Sequence, residues 1–309
     1  MPSEKSPAIA SLPSDSNYNL RGRIPALPRP SIRRRSKRVG SRTAKIDSAK
    51  TGSTDTRPCD RLPAPPKREI HLWTARLPLS DDVVAALEPM LSPDERERAA
   101  RFKAARDCRQ FVSTRFLLRQ LLGMYLNCDS SSVRFSYRRS GKPYLAQGST
   151  DKSLSFNLSH AGCMAVLAFA QGREVGVDVE SVDRTVQVRD LSRRFFSPQE
   201  LAEIESSLSG VTSRFFEVWT RKEAVAKAVG RGLLASSSFI ESRPANWSRL
   251  SGWSSSGEGY SVWHFVPAPG YVGALAANGG FCRVLSQPIV LDYQAERFIR
   301  FAAPSYLLS

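Results

Sequence analysis

The chain has 309 residues, 41% of them hydrophobic, enough for one large core or two modest ones. Its formal charge of +16 is uneven: residues 1–68 hold sixteen Lys/Arg against five Asp/Glu, and residues 69–309 supply only +5. No run of eighteen apolar residues occurs, which excludes a membrane-spanning helix.

The basic opening includes "RIPALPRPSIRRRSKRVGSRTAK" and is rich in Pro, Ser and Arg, without a sustained apolar period. Such a segment does not offset its own ordering entropy, so residues 1–68 are expected to be a disordered tail. It lacks the apolar stretch of a secretory signal. The plain reading is a solvated tail; the functional readings are a tether to nucleic acid or a membrane surface, or a targeting segment.

From residue 70, "IHLWTARL" reads as a strand. In "LSPDERERAARFK", Ser92 is a good helix N-cap, Pro93 suits the first helical position and Glu95 completes a capping box. "CRQFVSTRFLLRQLLGMYL" has helical apolar spacing, with Gly123 near its end. "SVRFSYRRSGKPYL" alternates like a strand entering a Gly-Lys-Pro turn; "LSFNLSH" and "CMAVLAFA" follow as a short strand, a polar turn and a buried run. The same order then returns: "VGVDVESV", "SPQE", the helix ending at Gly230 and "YVGALAAN" lie 105 to 107 residues after their counterparts. Four coincidences at one offset predict two related halves joined near residues 171–174. A cleft between them is the natural place for a ligand.

Asp178 and Glu180 in "VGVDVE" are two apart on a strand, so both carboxylates face the same way. That is costly unless a cation or solvent intervenes, which leaves a hard-metal site or an acidic strand end running into solvent. In "WTRKEAVAK", Glu223 and Lys227 stand at i and i+4, either an ordinary helix-surface ion pair or an acid and an amine joining the other carboxylates. "FNLSH" brings Ser159 and His160, and "RSGKP" brings Lys142 in a turn whose amides suit an anion. The helices add Arg98, Arg101, Arg109 and Arg115. The five cysteines are scattered, odd in number and without a CxxC pair, as in a cytoplasmic protein with reduced thiols. Together these residues describe a magnesium-dependent site for a phosphorylated ligand.

The ordered set "GVDVE" at 176–180 and "WTRKEAVAK" at 219–227, with "GKP" at 141–143, "FNLSH" at 156–160, "RRFFSPQE" at 193–200 and "GRGL" at 230–233, resembles the 4′-phosphopantetheinyl transferases of the long, two-half (Sfp-type) class. The resemblance covers about residues 70–280 and implies an α+β fold of two pseudo-twofold-related halves with the ligand cleft between them. The halves are then expected at 69–172 and 173–285, with a C-terminal extension at 286–309. It also implies transfer of 4′-phosphopantetheine from coenzyme A to a serine of an apo acyl or peptidyl carrier protein, with release of adenosine 3′,5′-bisphosphate. By that resemblance Asp178, Glu180 and Glu223 hold magnesium, and Glu223 is also the favoured general base. Lys227 steadies the phosphates, and Lys142, Ser159 and His160 grip the nucleotide. Arg98 keeps the charge of a nucleotide-binding helix in which Glu95 replaces a second cation, and Arg109 and Arg115 are further coenzyme A contacts. A monomer is expected, because both halves lie in one chain. The competing class is a nucleic-acid-binding protein that uses the basic tail.

Overall fold

The computed structural model describes residues 61–146, 153–184, 186–208, 210–230, 259–280, 282–291, 299–301 and 305–307. Most of the expected tail, and "GRGL" beyond Gly230, lie outside these residues. Residues 61–68, grouped with the tail on composition, belong to the body: the Leu62 amide donates to the Met124 carbonyl and Pro65 is buried.

The first half runs β1 (Glu69–Arg76), α1 (Asp81–Leu87), α2 (Pro93–Ala100), α3 (Ala105–Leu126), a small hairpin of β2 (Phe135–Tyr137) and β3 (Pro143–Leu145), then β4 (Leu154–Ala161) and β5 (Met164–Gln171). The second runs β6 (Val175–Ser181), α4 (Val188–Phe195), α5 (Pro198–Glu205), α6 (Val211–Val229), β7 (Tyr260–Phe265) and β8 (Tyr271–Asn278). The order β1-α2-α3-β4-β5 thus returns as β6-α5-α6-β7-β8. The pairing returns too: β5 lies between β1 and β4, and β8 between β6 and β7, antiparallel throughout.

The repeat extends to the chemistry of the caps. The Ser92 amide donates to Glu95 Oε2 at 2.9 Å and the Ser197 amide to Glu200 Oε2 at 2.8 Å. Each capping glutamate is buried and takes a cation from the long helix of its own half: Arg119 Nε on Glu95 Oε2 at 2.6 Å, Lys222 Nζ on Glu200 Oε2 at 2.8 Å. Glu95 is therefore an internal counter-ion, as Glu200 is in the second half.

Strand β5 is apolar on both faces because both are covered. Ala165, Leu167 and Phe169 pack under α3, while Val166, Ala168 and Ala170 share a second layer with Val175, Val177 and Val179 of β6. With Val177 and Val179 turned toward the first half, period-2 alternation turns Gly176, Asp178 and Glu180 toward α6. Chain segments after the second half close the first sheet. β9 (Arg283–Leu291) pairs parallel with β1, and β10 (Ile299–Phe301) and β11 (Ser305–Leu307) pair with β9, giving the order β10-β9-β1-β5-β4. The boundary expected at 285/286 falls inside β9, because one uninterrupted ladder to β1 spans it.

Candidate active site

The two halves meet in polar contact where β4 lies along the edge of β6. Asn157 Oδ1 accepts from the Val177 amide at 2.8 Å, and two residues on Ser159 Oγ donates to Asp178 Oδ1 at 2.9 Å. From α6, Lys227 Nζ donates to both, at 2.7 Å to Asp178 Oδ1 and 2.9 Å to Ser159 Oγ. All three side chains are buried. Helix α6 comes this close because of Gly176, where a Cβ would stand 2.1 Å from the Ala224 carbonyl oxygen and 2.3 Å from the Ala228 amide. The glycine of "GVDVE" is therefore a packing requirement of the site.

Within "WTRKEAVAK" the residues divide by helix face. Trp219 is an aromatic anchor, 5.6 Å from the Phe195 ring and 5.7 Å from that of Phe215. Lys222 is held by Glu200, and Glu223 and Lys227, one turn apart, face β6. Burial first, and the Asp178 charge second, push Glu223 up to about 7, against the opposing pull of Lys227. A carboxyl tuned to that range exchanges a proton near neutrality. His160 goes the other way, down to about 4, through burial and then the charges of Lys227 and Arg106. It is a neutral imidazole at pH 7.

Ser159 and His160 lie in β4, not in the expected polar turn; the strand runs through Ala161, and the turn falls at Gly162, with φ of 54°. Ser159 reaches Asp178, and the next residue, His160, feels the charge of Lys227 first and then that of Arg106, at the start of α3. Arg106 is a residue that spacing alone did not single out.

The paired acids are not an exposed strand end: Asp178 is 2% and Glu180 5% exposed. Nor do Asp178, Glu180 and Glu223 close into one cluster, since among the described residues no three Asp, Glu, His or Cys side chains stand together as a metal cage. Each acid of β6 instead stands against a cation of the chain: Lys227 on Asp178 and Arg184 NH1 on Glu180 Oε2 at 3.3 Å. Asp178 Oδ2 is buried without a hydrogen-bond donor.

The remaining predicted cations fall elsewhere. Lys142 donates to three backbone carbonyls rather than lining an open anion cradle. Arg109 pairs with Asp81 at 2.5 Å. Arg115 is buried 3.5 Å from Glu95, its guanidinium 5.3 Å from the Phe111 ring and 5.0 Å from that of Phe135. Arg98 lies over Phe111 at 5.3 Å. The structure does not bring these arginines to the Asp178–Lys227 cluster. A groove of about 420 Å³ beside Pro89, Arg119 and Phe135 contains none of the cluster's residues.

Comparison with known proteins identifies the family. Residues 174–276 match the family model of the 4′-phosphopantetheinyl transferase superfamily, and residues 74–172 match that of the 4′-phosphopantetheinyl transferase N-terminal region. The chain is 34% identical over 229 residues to 4′-phosphopantetheinyl transferase HetI of Nostoc sp., covering 71% of this chain and 93% of that protein. Identity to 4′-phosphopantetheinyl transferase Sfp of Bacillus subtilis is 28% over 157 residues, or 50% of this chain and 67% of the other. The human L-aminoadipate-semialdehyde dehydrogenase-phosphopantetheinyl transferase is 31% identical over 152 residues, 46% of this chain and 49% of the other. The two models tile the two repeated halves and meet the cluster from both sides, so the chain belongs to the 4′-phosphopantetheinyl transferase superfamily and is a transferase.

Proposed function

We propose that the protein transfers 4′-phosphopantetheine from coenzyme A to a serine hydroxyl of an apo acyl or peptidyl carrier protein, with magnesium as cofactor and adenosine 3′,5′-bisphosphate as the second product. The observation that carries this reading is the buried Lys227–Asp178–Ser159 contact beside a Glu223 carboxyl poised at about 7. The donor set suits magnesium, which takes one or two carboxylates and completes its shell with water and substrate phosphates. Asp178, whose buried Oδ2 has no donor, and the neighbouring Glu223 would hold it, and Glu180 would join them on releasing Arg184. When bound, magnesium neutralises charge on the pyrophosphate.

The chain's own residues do the rest. Glu223 accepts the proton of the incoming serine hydroxyl, whose oxygen forms the new bond to the phosphorus bearing pantetheine; the bond to the nucleotide phosphate breaks. A placed base of this kind contributes roughly 10²–10⁴-fold. Lys227 stabilises charge on the leaving phosphate, the kind of positioning and neutralisation on which phosphoryl transfer depends. Ser159, the neutral His160 and Arg106 line the nucleotide phosphates. The exposed Arg189, Arg193 and Arg194 of α4 favour encounter with an acidic carrier by electrostatic steering. A cytoplasmic monomer fits this reading.

The test is to incubate the purified protein with coenzyme A, magnesium and several apo carrier proteins, and measure intact carrier mass. Addition of phosphopantetheine is the expected result. Absence of an adduct on every carrier overturns the proposal.

A further inference from the structure

Lys142 sits in the β2–β3 turn of the first half, but its side chain ends inside the second. Its ammonium donates to the Val175 carbonyl at the start of β6 at 3.0 Å, and to the carbonyls of Lys227 and Ala228 in the last turn of α6 at 2.6 and 3.3 Å. Carbonyls of a helix's last turn carry the negative end of its dipole, so a donor is well placed there, and the Lys227 carbonyl takes it in addition to the Gly230 amide at 3.2 Å. The turn itself is built to deliver it: the Arg138 amide donates to the Lys142 carbonyl at 2.9 Å, and Gly141 adopts φ of 83°.

The location is what matters. Val175 precedes Gly176, the residue at which α6 and β6 touch backbone to backbone. Lys227, whose carbonyl takes the shortest of the three bonds, is the same residue whose ammonium reaches Asp178 and Ser159. We infer that Lys142 is a positioning residue: by tying the carbonyl end of α6 to the start of β6, it sets the separation and rotation that aim Lys227 and Glu223 at Asp178. The three acceptors of Lys142 are all backbone carbonyls of the second half, two of them in α6, so Lys142 acts on the reaction through α6 and not by contact with coenzyme A.

The inference rests on the transferase reading for its kinetic arm alone, and a second arm is independent of activity. In the full chain, Lys142→Met keeps the aliphatic stem and removes the donors, and Lys142→Gln keeps two of them. Leu122→Ala, in the core under α3 and away from the cluster, serves as a destabilised control. The expected result is a kcat lowered about tenfold to a hundredfold in Lys142→Met, as for a small misplacement of reacting groups. Lys142→Gln should be intermediate, KM for coenzyme A should stay within about twofold, and Leu122→Ala should turn over normally. Amide hydrogen exchange should quicken in the last two turns of α6 and not in α3. A raised KM with kcat preserved assigns Lys142 to ligand contact and overturns the inference, as do unchanged kcat and unchanged exchange. Failure of both variants to yield folded protein also overturns it, by making Lys142 a requirement of the fold as a whole. If the wild type itself shows no transfer, the functional reading fails while the exchange arm still decides the role of Lys142.

Discussion

Glu223→Gln should make the metal-free protein more stable at pH 8 while disabling it. The folded carboxyl is raised from 4.5 to about 7, first by burial and second by Asp178. The folded state therefore holds a proton that the unfolded chain has released. Its contribution is fully present below about pH 4.5 and is lost as pH rises through about 7, because ionised Glu223 must then stand buried beside Asp178. At 1.36 kcal/mol per unit, the loss between pH 5 and pH 8 is roughly 2–3 kcal/mol. Glutamine keeps the shape and removes the titration. Urea unfolding with EDTA present should give the variant an advantage over wild type at pH 8 that largely disappears at pH 5. With magnesium and coenzyme A the order at pH 8 should reverse, and transfer should fall by about 10²–10⁴-fold. Parallel pH profiles for the two proteins would refute the assigned environment of Glu223, and near-normal turnover would refute its role as base.

Lys227→Met leaves Asp178 buried without its cation, a change of a kind that costs about 3–5 kcal/mol; transfer should be lost more completely than folding, and circular dichroism of an unfolded variant would instead assign Lys227 to structure. Gly176→Ala forces a methyl into the α6 backbone, and overpacking of this kind costs roughly 1–3 kcal/mol or more; a lowered melting temperature together with lost turnover is expected, and a fully active variant would contradict the close approach. Removing residues 283–309 strips β9 from β1 and takes Ile289 and Ile299 out of the core; little soluble protein should accumulate, and a stable, active truncation would show that the first sheet stands without them.

The sequence reading and the structure agree where local rules govern. Ser92 with Glu95 announced a capping box, which formed, and "SPQE" one repeat later forms a second with Ser197 and Glu200. The helix ending at Gly230 stops there because that residue adopts φ of 78°. The repeat was visible because strand and helix periods recur at one offset. Partnerships across the halves were not visible. Nothing in "RSGKP" says that Lys142 will find carbonyls 33, 85 and 86 residues away, and a lysine in a turn looks the same whether it meets an anion or a helix end. Arg184, four residues after Glu180, had no distinguishing context. Arg115 shares its helix with Arg109, and only tertiary packing makes one of them a buried ion and the other a surface one.

The repeat also raises the question of why the cluster occurs once. In the second half, the edge of β6 turned away from β8 meets β4, and the Asn157 and Ser159 side chains serve it. In the first half, the corresponding edge of β1, turned away from β5, is taken up by β9. The residues one repeat before Asp178 and Glu180 are Trp73 and Ala75, and those one repeat after Ser159 and His160 are Phe265 and Val266. Trp73 and Ala75 lie in the apolar core under α3, and Phe265 lies in the apolar layer shared by the two sheets. A common βααββ scaffold thus supports apolar packing where a strand seals the edge, and carries charge only where the edge is left to side chains. A buried carboxylate needs such an edge: ladder hydrogen bonds consume backbone groups alone, whereas β4 approaching through its side chains leaves room for Lys227 and Glu223 to meet Asp178.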